Sequence, residues 1–196
     1  MPGIERAATP VSPQPEMLPH LDALSPGRVH EAAGAGRLTF ALAVAGWMQG
    51  AVLWIRDRRQ GDALYPLGMA TYLDPARLIL VRATGQLEVL QLAEEALRSG
   101  AAPLVIADMG EAPDLTASRR LQLAAGTGGG RGLCLIPEGR LKTNAAETRW
   151  TCLPMSGGGA RQHWELVKNK RGRLGQWQVS WDGTAFRAEG EPAEMA

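Results

Sequence analysis

Cysteine is scarce in this chain, and the two cysteines lie far apart. Among 196 residues only Cys134 and Cys152 occur, each within an apolar stretch. Neither a CxxC pair nor a Cys/His cluster with the spacing of metal ligands is present in the sequence. The sequence therefore supports neither a disulfide framework nor a zinc site, and we expect no bound metal.

Long apolar runs and a basic leader are also missing. No apolar stretch approaches the roughly 20 residues that a membrane-spanning helix requires. The N-terminus carries proline and acidic residues where a secretion signal would have a basic segment followed by an apolar one. We therefore expect a cytoplasmic protein.

An excess of one charge is absent as well. The formal net charge of +1 excludes a uniformly basic surface. The cations are nevertheless unevenly distributed, because five of them crowd one late segment with only Glu165 nearby: Arg161, Lys168, Lys170, Arg171 and Arg173. A local basic patch is compatible with this distribution.

The segment RVHEAAGAGRLTFALAV, residues 28–44, has the outline of a phosphate-binding loop without its chemical groups. A working loop reads G-x-x-x-x-G-K-[ST], in which Lys reaches the phosphates and the hydroxyl binds Mg²⁺. Here Gly34 and Gly36 are only two positions apart, and Arg37 and Leu38 replace the Lys and the hydroxyl residue. The pattern predicts either a weak anion cradle at the helix N-terminus or a tight turn that needs glycine.

Composition divides the chain into three parts. Residues 1–27 contain six prolines and few large apolar side chains, which is typical of a flexible arm. The composition of residues 188–196 likewise predicts a disordered tail. We predict a single domain over residues 28–187.

Within that domain, short apolar runs alternate with amphipathic stretches. This alternation predicts an α/β fold with a mostly parallel sheet flanked by helices. Strands are expected at residues 28–33, 51–55, 77–82, 103–108 and 133–136, and helices at 38–47, 64–71, 86–99 and 116–125, with a glycine-rich loop at 126–132. Three later strand-like segments, 149–154, 163–169 and 176–181, predict an antiparallel extension of the sheet edge. Thr84 is placed to cap the helix at 86–99.

Two segments resemble the bacterial RecA recombinases. TGQLEVLQLAEEALRSGAAPLVIAD, residues 84–108, resembles the stretch that leads into the Walker B strand of RecA, and Asp108 ends that strand. WELVKNKRGRLGQWQVSW, residues 164–181, resembles a RecA hairpin in which V-K-N-K opens a basic connection between two core strands. The order of these segments and the glycine pair at residue 34 fit a RecA-like core over residues 28–182.

A short RecA-like chain without a functional phosphate loop is similar to the ImuA family. That resemblance implies a non-catalytic accessory protein of translesion DNA synthesis, belonging to bacterial SOS mutagenesis cassettes. The implied partners are ImuB, a catalytically inactive relative of Y-family polymerases, and an error-prone C-family polymerase. RecA, single-stranded DNA and a second copy of the chain are further candidate partners. No cofactor is implied.

The resemblance also nominates vestigial nucleotide-site positions. These are Gly34, Gly36, Arg37, Thr39 and Asp108. Asp108 could hold a water on Mg²⁺, but without a lysine in the loop we favour a structural role, since carboxylates at strand ends in α/β sheets also cap helices and form turns. Asp57 lies near the position of the catalytic carboxylate in RecA, but its flanking Arg56, Arg58 and Arg59 suggest a solvated, charge-balanced connection. We nominate no catalytic residue.

The basic hairpin is the candidate nucleic-acid interface. Lys168, Lys170, Arg171 and Arg173 could neutralise phosphates, which would make binding independent of base sequence and sensitive to salt. Three nearby tryptophans, Trp164, Trp177 and Trp181, fit either a stacking surface for bases or the core face of a strand. The histidines His20, His30 and His163 are scattered, which favours structural roles.

Two other functions remain open from the sequence. One is a DNA-stimulated ATPase in which Arg37 replaces the phosphate-binding lysine, and the other is a cell-division inhibitor. For a partner-binding role, the proline-rich arm or the region 64–72, with Tyr65, Met69 and Tyr72, would supply apolar anchors.

Overall fold

A computed structural model describes residue 18 and residues 21–59, 65–156 and 161–189. Nine strands occur in this part of the chain: β1 Val29–Ala33, β2 Val52–Asp57, β3 Leu78–Ala83, β4 Leu104–Asp108, β5 Arg131–Ile136, β6 Thr148–Pro154, β7 Gln162–Asn169, β8 Gly175–Trp181 and β9 Phe186–Glu189. Four α-helices accompany them: α1 Arg37–Trp47, α2 Pro66–Met69, α3 Gln86–Ser99 and α4 Leu115–Gly128.

All nine strands belong to one sheet, with the order β3-β2-β4-β5-β1-β6-β7-β8-β9. The pairs from β3 through to β6 are parallel, and β6 to β9 pair antiparallel. β1, β4 and most of β5 are buried, as expected for apolar strands covered on both faces. This confirms the predicted α/β class, the mostly parallel sheet and its antiparallel C-terminal part.

The two faces of the sheet carry separate cores. α3 and α4 cover one face through residues such as Val89, Leu97 and Leu121. α1 lies on the opposite face, where Phe40 packs against Trp150 and Trp164 with ring centroids 5.1 and 4.9 Å apart. That second core continues into the antiparallel strands, so it unites the two halves of the sheet.

The glycine-rich loop predicted at 126–132 is wrong. α4 continues to Gly128 and β5 begins at Arg131. Gly128 and Gly100 allow close helix packing instead, because a Cβ on Gly128 would lie 2.0 Å from the carbonyl oxygen of Leu97, and one on Gly100 would lie 2.7 Å from the carbonyl oxygen of Gly128. Glycine therefore lets the C-terminal ends of α3 and α4 touch.

The bounds of α3 match the prediction, but its predicted cap is wrong. Gly85 is the N-cap residue and provides no side-chain cap. Glu88 reaches back instead, and its Oε2 accepts hydrogen bonds from the backbone N–H of Thr84 at 2.6 Å and from the Thr84 hydroxyl at 2.5 Å. Thr84 therefore donates to a first-turn carboxylate rather than accepting from the helix.

The predicted flexible arm is wrong at its C-terminal end. Leu18, Leu21 and Leu24 are buried in the core beside α1, and residues 21–23 form a 3₁₀ turn. Large apolar side chains drive this ordering, because burying each stabilises the fold by roughly 1.5–3 kcal/mol. Residues 1–17, 19 and 20 lie outside the described part. β9 extends two residues past the predicted domain end at 187. Residues 190–196 also lie outside the described part.

The predicted helix at 64–71 shortens to Pro66–Met69, and residue 64 lies outside the described part. Its suggested apolar anchors have mostly internal roles. Met69 is buried, and Tyr72 packs on Trp181 and Phe186 at centroid distances of 4.8 and 5.4 Å. Tyr65 alone of these three is strongly exposed, at 65%.

Candidate functional site

The loop between β1 and α1 is closed by strand β6. The backbone N–H of Gly36 donates to the carbonyl oxygen of Cys152 at 2.8 Å, and that of Gly34 donates to Ile136 at 3.3 Å. A Cβ on Gly34 would lie 2.6 Å from the Cys152 oxygen, and one on Gly36 would lie 2.1 Å from Oε1 of Gln162. Glycine is needed here for close approach of another strand, and the Gly36 amide already has a partner.

The two other loop positions lie at the start of α1. The Arg37 side chain turns back and donates to the carbonyl oxygen of Gly34 at 3.2 Å, and the Arg37 backbone N–H donates to the same oxygen at 3.3 Å. Thr39 is half-buried in the first helical turn. The helix begins at its N-cap, Gly36, without a capping side chain.

Asp108 ends β4 and lies opposite a buried arginine. Arg56 of β2 is its register partner, and the Arg56 Nε lies 3.6 Å from Oδ2 of Asp108. Burial raises the pKa of Asp108, while the positive charges of Arg56 and Arg37 oppose that rise. The structure thus brings Arg37 and Asp108 into one electrostatic cluster, in which an internal guanidinium balances the carboxylate.

Arg56 was missed by sequence reasoning, which placed it in a solvated connection. It is 7% exposed, within β2. The alternation in VLWIRD contains the signal, because Val52, Trp54 and Arg56 lie two apart and share a buried face. The arginines after the strand do fit the prediction, since Arg58 and Arg59 are exposed.

Asp57 is held by its neighbour in the following turn. Nε and Nη2 of Arg59 donate to the carboxylate of Asp57, the latter at 2.8 Å. These hydrogen bonds lower the pKa of Asp57 below its usual value. Its charge is therefore balanced locally, as the sequence suggests.

The lysines of the basic hairpin bind the connection between β5 and β6. Nζ of Lys168 donates to the carbonyl oxygen of Asn144 at 2.9 Å, and Nζ of Lys170 donates to that of Ala145 at 2.7 Å. Partial burial, followed by the charges of Lys170 and Arg149, lowers the pKa of Lys168. Both lysines thus have internal backbone partners.

The two arginines of the hairpin differ. Arg171 forms an ion pair with the buried Glu147, with Nε 2.9 Å from Oε1, and Glu147 also faces Arg28 at 3.8 Å. The Arg173 side chain is exposed, and its carbonyl oxygen accepts from Asn169 at 3.2 Å. Among the four predicted nucleic-acid contacts, Arg173 is the one whose described hydrogen bond involves only its backbone.

The suggested stacking surface is wrong for two of its three tryptophans. Trp164 and Trp177 are 2% and 4% exposed and face α1. Trp181 is half-buried against Tyr72 and Phe186. The alternating pattern therefore marks a core face, because every second residue of a strand points to the same side.

A buried polar network beside the hairpin was also missed. Glu31 lies in the middle strand β1 at 1% exposure, and Nη2 of Arg149 lies 2.7 Å from its Oε2. Asn144 donates to the other carboxylate oxygen of Glu31. No short motif signals this arrangement, since the three residues come from separate segments.

His30 connects the N-terminal segment to β6. Its Nε2 donates to the carbonyl oxygen of Ser25 at 3.1 Å, which leaves Nδ1 to accept the Thr148 hydroxyl at 2.8 Å. The same hydroxyl oxygen accepts from Nε1 of Trp150 at 3.2 Å. Burial lowers the pKa of His30 to about 4, so the ring is neutral at pH 7. His163 is half-buried, and His20 lies outside the described residues.

The described residues contain no group of three or more His, Cys, Asp or Glu side chains suited to a metal ion. Both cysteines are buried free thiols, and burial raises their pKa values. Across the same part of the chain, no helix combines the length and apolar character that crossing a membrane requires.

Comparison with known proteins gives two similar chains. Both are named Protein ImuA and come from Caulobacter vibrioides, one from strain NA1000 / CB15N and one from strain ATCC 19089 / CIP 103742 / CB 15. Each is 37% identical over 147 residues, which cover 65% of this chain and 59% of the relative. The chain thus spans about three fifths of the length of these relatives. No protein-family model matches it.

Proposed function

Because the chain belongs to the ImuA family, we propose that it is a non-catalytic, RecA-like accessory protein of SOS-induced translesion DNA synthesis. In this role it binds an ImuB-like, catalytically inactive polymerase relative, together with an error-prone C-family polymerase. Its own contribution is to hold that assembly together in the cytoplasm. RecA and single-stranded DNA are additional proposed contacts.

The closed loop is the observation that carries the non-catalytic part of the proposal. A phosphate loop works because its backbone N–H groups point at the anion. In this chain the Gly36 N–H is bonded to Cys152, and β6 occupies the space beside both glycines. A phosphate group would have to displace a core strand of the sheet to reach that amide.

The Asp108 pair supports the same conclusion. A Walker B carboxylate acts through a Mg²⁺ ion and its water, which requires access. Here Asp108 is 1% exposed and lies 3.6 Å from the guanidinium of Arg56. Removing one member of a buried ion pair lowers the free energy of unfolding by about 3–5 kcal/mol. This geometry therefore favours a structural role for Asp108.

For DNA we propose a limited contact through the basic hairpin. Lys168, Lys170 and Arg171 are engaged with the 137–147 connection, whereas the Arg173 side chain is exposed at the tip. Contact through Arg173 would be independent of base sequence and would weaken as salt rises.

Two measurements on the full chain test the proposal. Calorimetric titration with Mg²⁺-ATP is expected to give no heat of binding. Biolayer interferometry with a purified ImuB homologue from the same bacterium is expected to give a micromolar or tighter Kd. Two folded proteins that do not associate at micromolar concentration would contradict the proposed role.

The rival function is a DNA-stimulated ATPase, and one observation favours it. The positive charge of Arg37 opposes the burial-driven rise in the pKa of Asp108, so the two side chains interact electrostatically. Phosphate release measured with and without single-stranded DNA separates the two functions. Turnover that is lost in Asp108→Asn but retained in Asp57→Asn would establish the ATPase instead.

A further inference from the structure

A groove runs between α3 and α4 on the surface of the helical layer. Residues of both helices line it, chiefly Leu87, Leu90, Glu94, Ala117, Arg120 and Leu121. Its volume of about 90 Å³ is several times the roughly 10–15 Å³ that a site for one water molecule needs. Most of the lining is apolar. The groove therefore has room for an apolar side chain of another molecule.

Both ends of the groove are held in place. At the C-terminal ends the helices touch, because Gly128 has no Cβ to collide with the carbonyl oxygen of Leu97. At the other end, Nε2 of Gln86 donates to the carbonyl oxygen of Glu111 at 2.8 Å, and Oε1 of Gln86 accepts from the backbone N–H of Gly110 at 3.0 Å. A groove fixed in this way loses little conformational freedom on binding, which favours affinity.

The apolar lining extends from a buried floor to an exposed rim. Leu121 of α4 is 2% exposed, Leu90 of α3 is half-buried, and Leu87 of α3 is 71% exposed. A single exposed leucine on a surface is ordinary. Leu87, however, borders an apolar groove, so a partner seated there would bury Leu87 together with the lining.

The rim of the groove carries an excess of positive charge. Glu94 is shared by two arginines, since Nη2 of Arg120 lies 2.7 Å from its Oε2 and Arg98 donates to its Oε1. Both arginine side chains are more than half exposed. The other carboxylates of α3, Glu88 and Glu95, do not line the groove. A partner with carboxylates beside its apolar side chain is therefore electrostatically complementary.

The helical walls select a helix as the occupant. Backbone groups along α3 and α4 are bonded within their own helices, so a bound segment gains no backbone hydrogen bonds from them. A helix satisfies its own backbone and presents apolar side chains at i, i+3 and i+4 on one face. A second copy fits less well, because a two-fold contact centred on the groove would bring Arg120 of one copy near its own counterpart.

We propose that the groove between α3 and α4 binds an amphipathic helix of a protein partner, with an apolar side chain between Leu87 and Leu121 and carboxylates beside Arg120 and Arg98. This inference rests on the proposed function, because it supplies one surface through which the chain would hold its partners.

The test measures binding of the full chain to the purified ImuB homologue and to the purified C-family polymerase of the same bacterium, each separately, by biolayer interferometry. Leu87→Glu is expected to weaken binding of at least one of them tenfold or more, because it places a carboxylate at an apolar contact. Leu123→Glu is the matched control, since Leu123 is 73% exposed on α4 and does not line the groove. Thermal unfolding checks that the variants are folded, and Leu87→Ala serves as a milder second variant.

A second pair of variants tests the charge of the rim. Arg120→Gln should weaken binding of the same partner at low salt, and the difference from wild type should shrink as salt is added. Arg119→Gln changes the preceding exposed arginine, which does not line the groove. It should leave the affinity and its salt dependence unchanged.

Photo-crosslinking identifies the occupant. With benzoylphenylalanine in place of Leu87, mass spectrometry of the crosslinked complex should find a partner segment that has apolar residues at helical spacing and acidic residues beside them. The same group in place of Leu123 should give no crosslink to that segment.

Each outcome decides a different question. If the wild-type chain binds neither protein, the proposed function fails and this assignment of the groove fails with it. If the wild type binds but Leu87→Glu binds both proteins equally well, the groove assignment is wrong and the proposed function stands. A crosslink from position 87 to a second copy of the chain, or to a segment without acidic residues, also overturns the inference.

Discussion

Gly34 is the residue on which closure of the loop most depends. Its φ is +96°, a conformation that side-chain-bearing residues rarely adopt, and its missing Cβ leaves room for the Cys152 carbonyl. Gly34→Ala is therefore expected to lower the free energy of unfolding by about 2–4 kcal/mol, through backbone strain and overpacking together. Urea unfolding at pH 7 measures this loss.

Gly139 offers a matched control for that substitution. Its φ is +70°, but a Cβ added there would have no atom of the described residues within 4 Å, apart from its own chain neighbours. Gly139→Ala should introduce backbone strain without a steric clash and lower the free energy of unfolding by about 1 kcal/mol. Equal losses in the two variants would show that β6 does not press on the loop.

His30 makes the stability of the protein dependent on pH. Its folded pKa of about 4 is below the ordinary value of 6.5, so the unfolded chain binds the proton more readily. The contribution of the neutral ring is complete above pH 6.5, falls as the pH drops from 6.5 to 4, and changes no further below that. The total loss is on the order of 3 kcal/mol, measurable by urea unfolding at several pH values.

Two variants test whether His30 causes this pH dependence of the unfolding free energy. In His30→Gln the decline of the unfolding free energy between pH 6.5 and 4 should flatten. His163→Gln changes a half-buried histidine and should retain the wild-type slope. An unchanged slope in His30→Gln would assign the pH dependence to other groups.

At the scale of elements, the hairpin between β7 and β8 supports the connection between β5 and β6. Lys168→Met removes the hydrogen bond to Asn144 and is expected to destabilise the fold by about 1 kcal/mol. Arg173→Met changes an exposed side chain and should stay within about 0.5 kcal/mol of wild type. The measurement is urea unfolding.

The same pair of variants tests DNA binding. Fluorescence anisotropy with a single-stranded oligonucleotide should show weaker binding for Arg173→Met, with the difference shrinking as salt is added. A stability loss in Arg173→Met as large as that in Lys168→Met would contradict the division of roles within the hairpin.

Secondary structure was predictable to different degrees for different elements. α3 was predicted with its observed bounds, because LEVLQLAEEALRS carries helical periodicity and Gly100 ends it. The glycines near the end of α4 predicted a loop, but Gly128 is needed there for close contact with α3, and that contact is not visible in the local sequence. Arg56 was misplaced because the two arginines that follow it, Arg58 and Arg59, suggested a solvated segment more strongly than the alternation of β2 suggested burial.

At the scale of the whole molecule, the single sheet and the core around α1 lead us to expect that both halves of the sheet unfold together. Four of the six tryptophans, Trp150, Trp164, Trp177 and Trp181, lie in β6, β7 and β8, so fluorescence reports mainly on the antiparallel half, whereas circular dichroism reports on all helices and strands. Their urea transitions should coincide, because one continuous core connects the two halves. A fluorescence transition at lower urea would instead identify the C-terminal strands as a separate domain.

The sequence by itself determined the α/β class, the alternation of strands and helices, and the loss of the phosphate-loop lysine. These features are encoded in short windows, through side-chain periodicity and local residue type. Only the tertiary structure decided that β6 closes the loop, that Arg56 balances Asp108, and that the hairpin lysines hold a distant connection. Such contacts join segments far apart in the chain, so they depend on strand order and register, which no local pattern specifies.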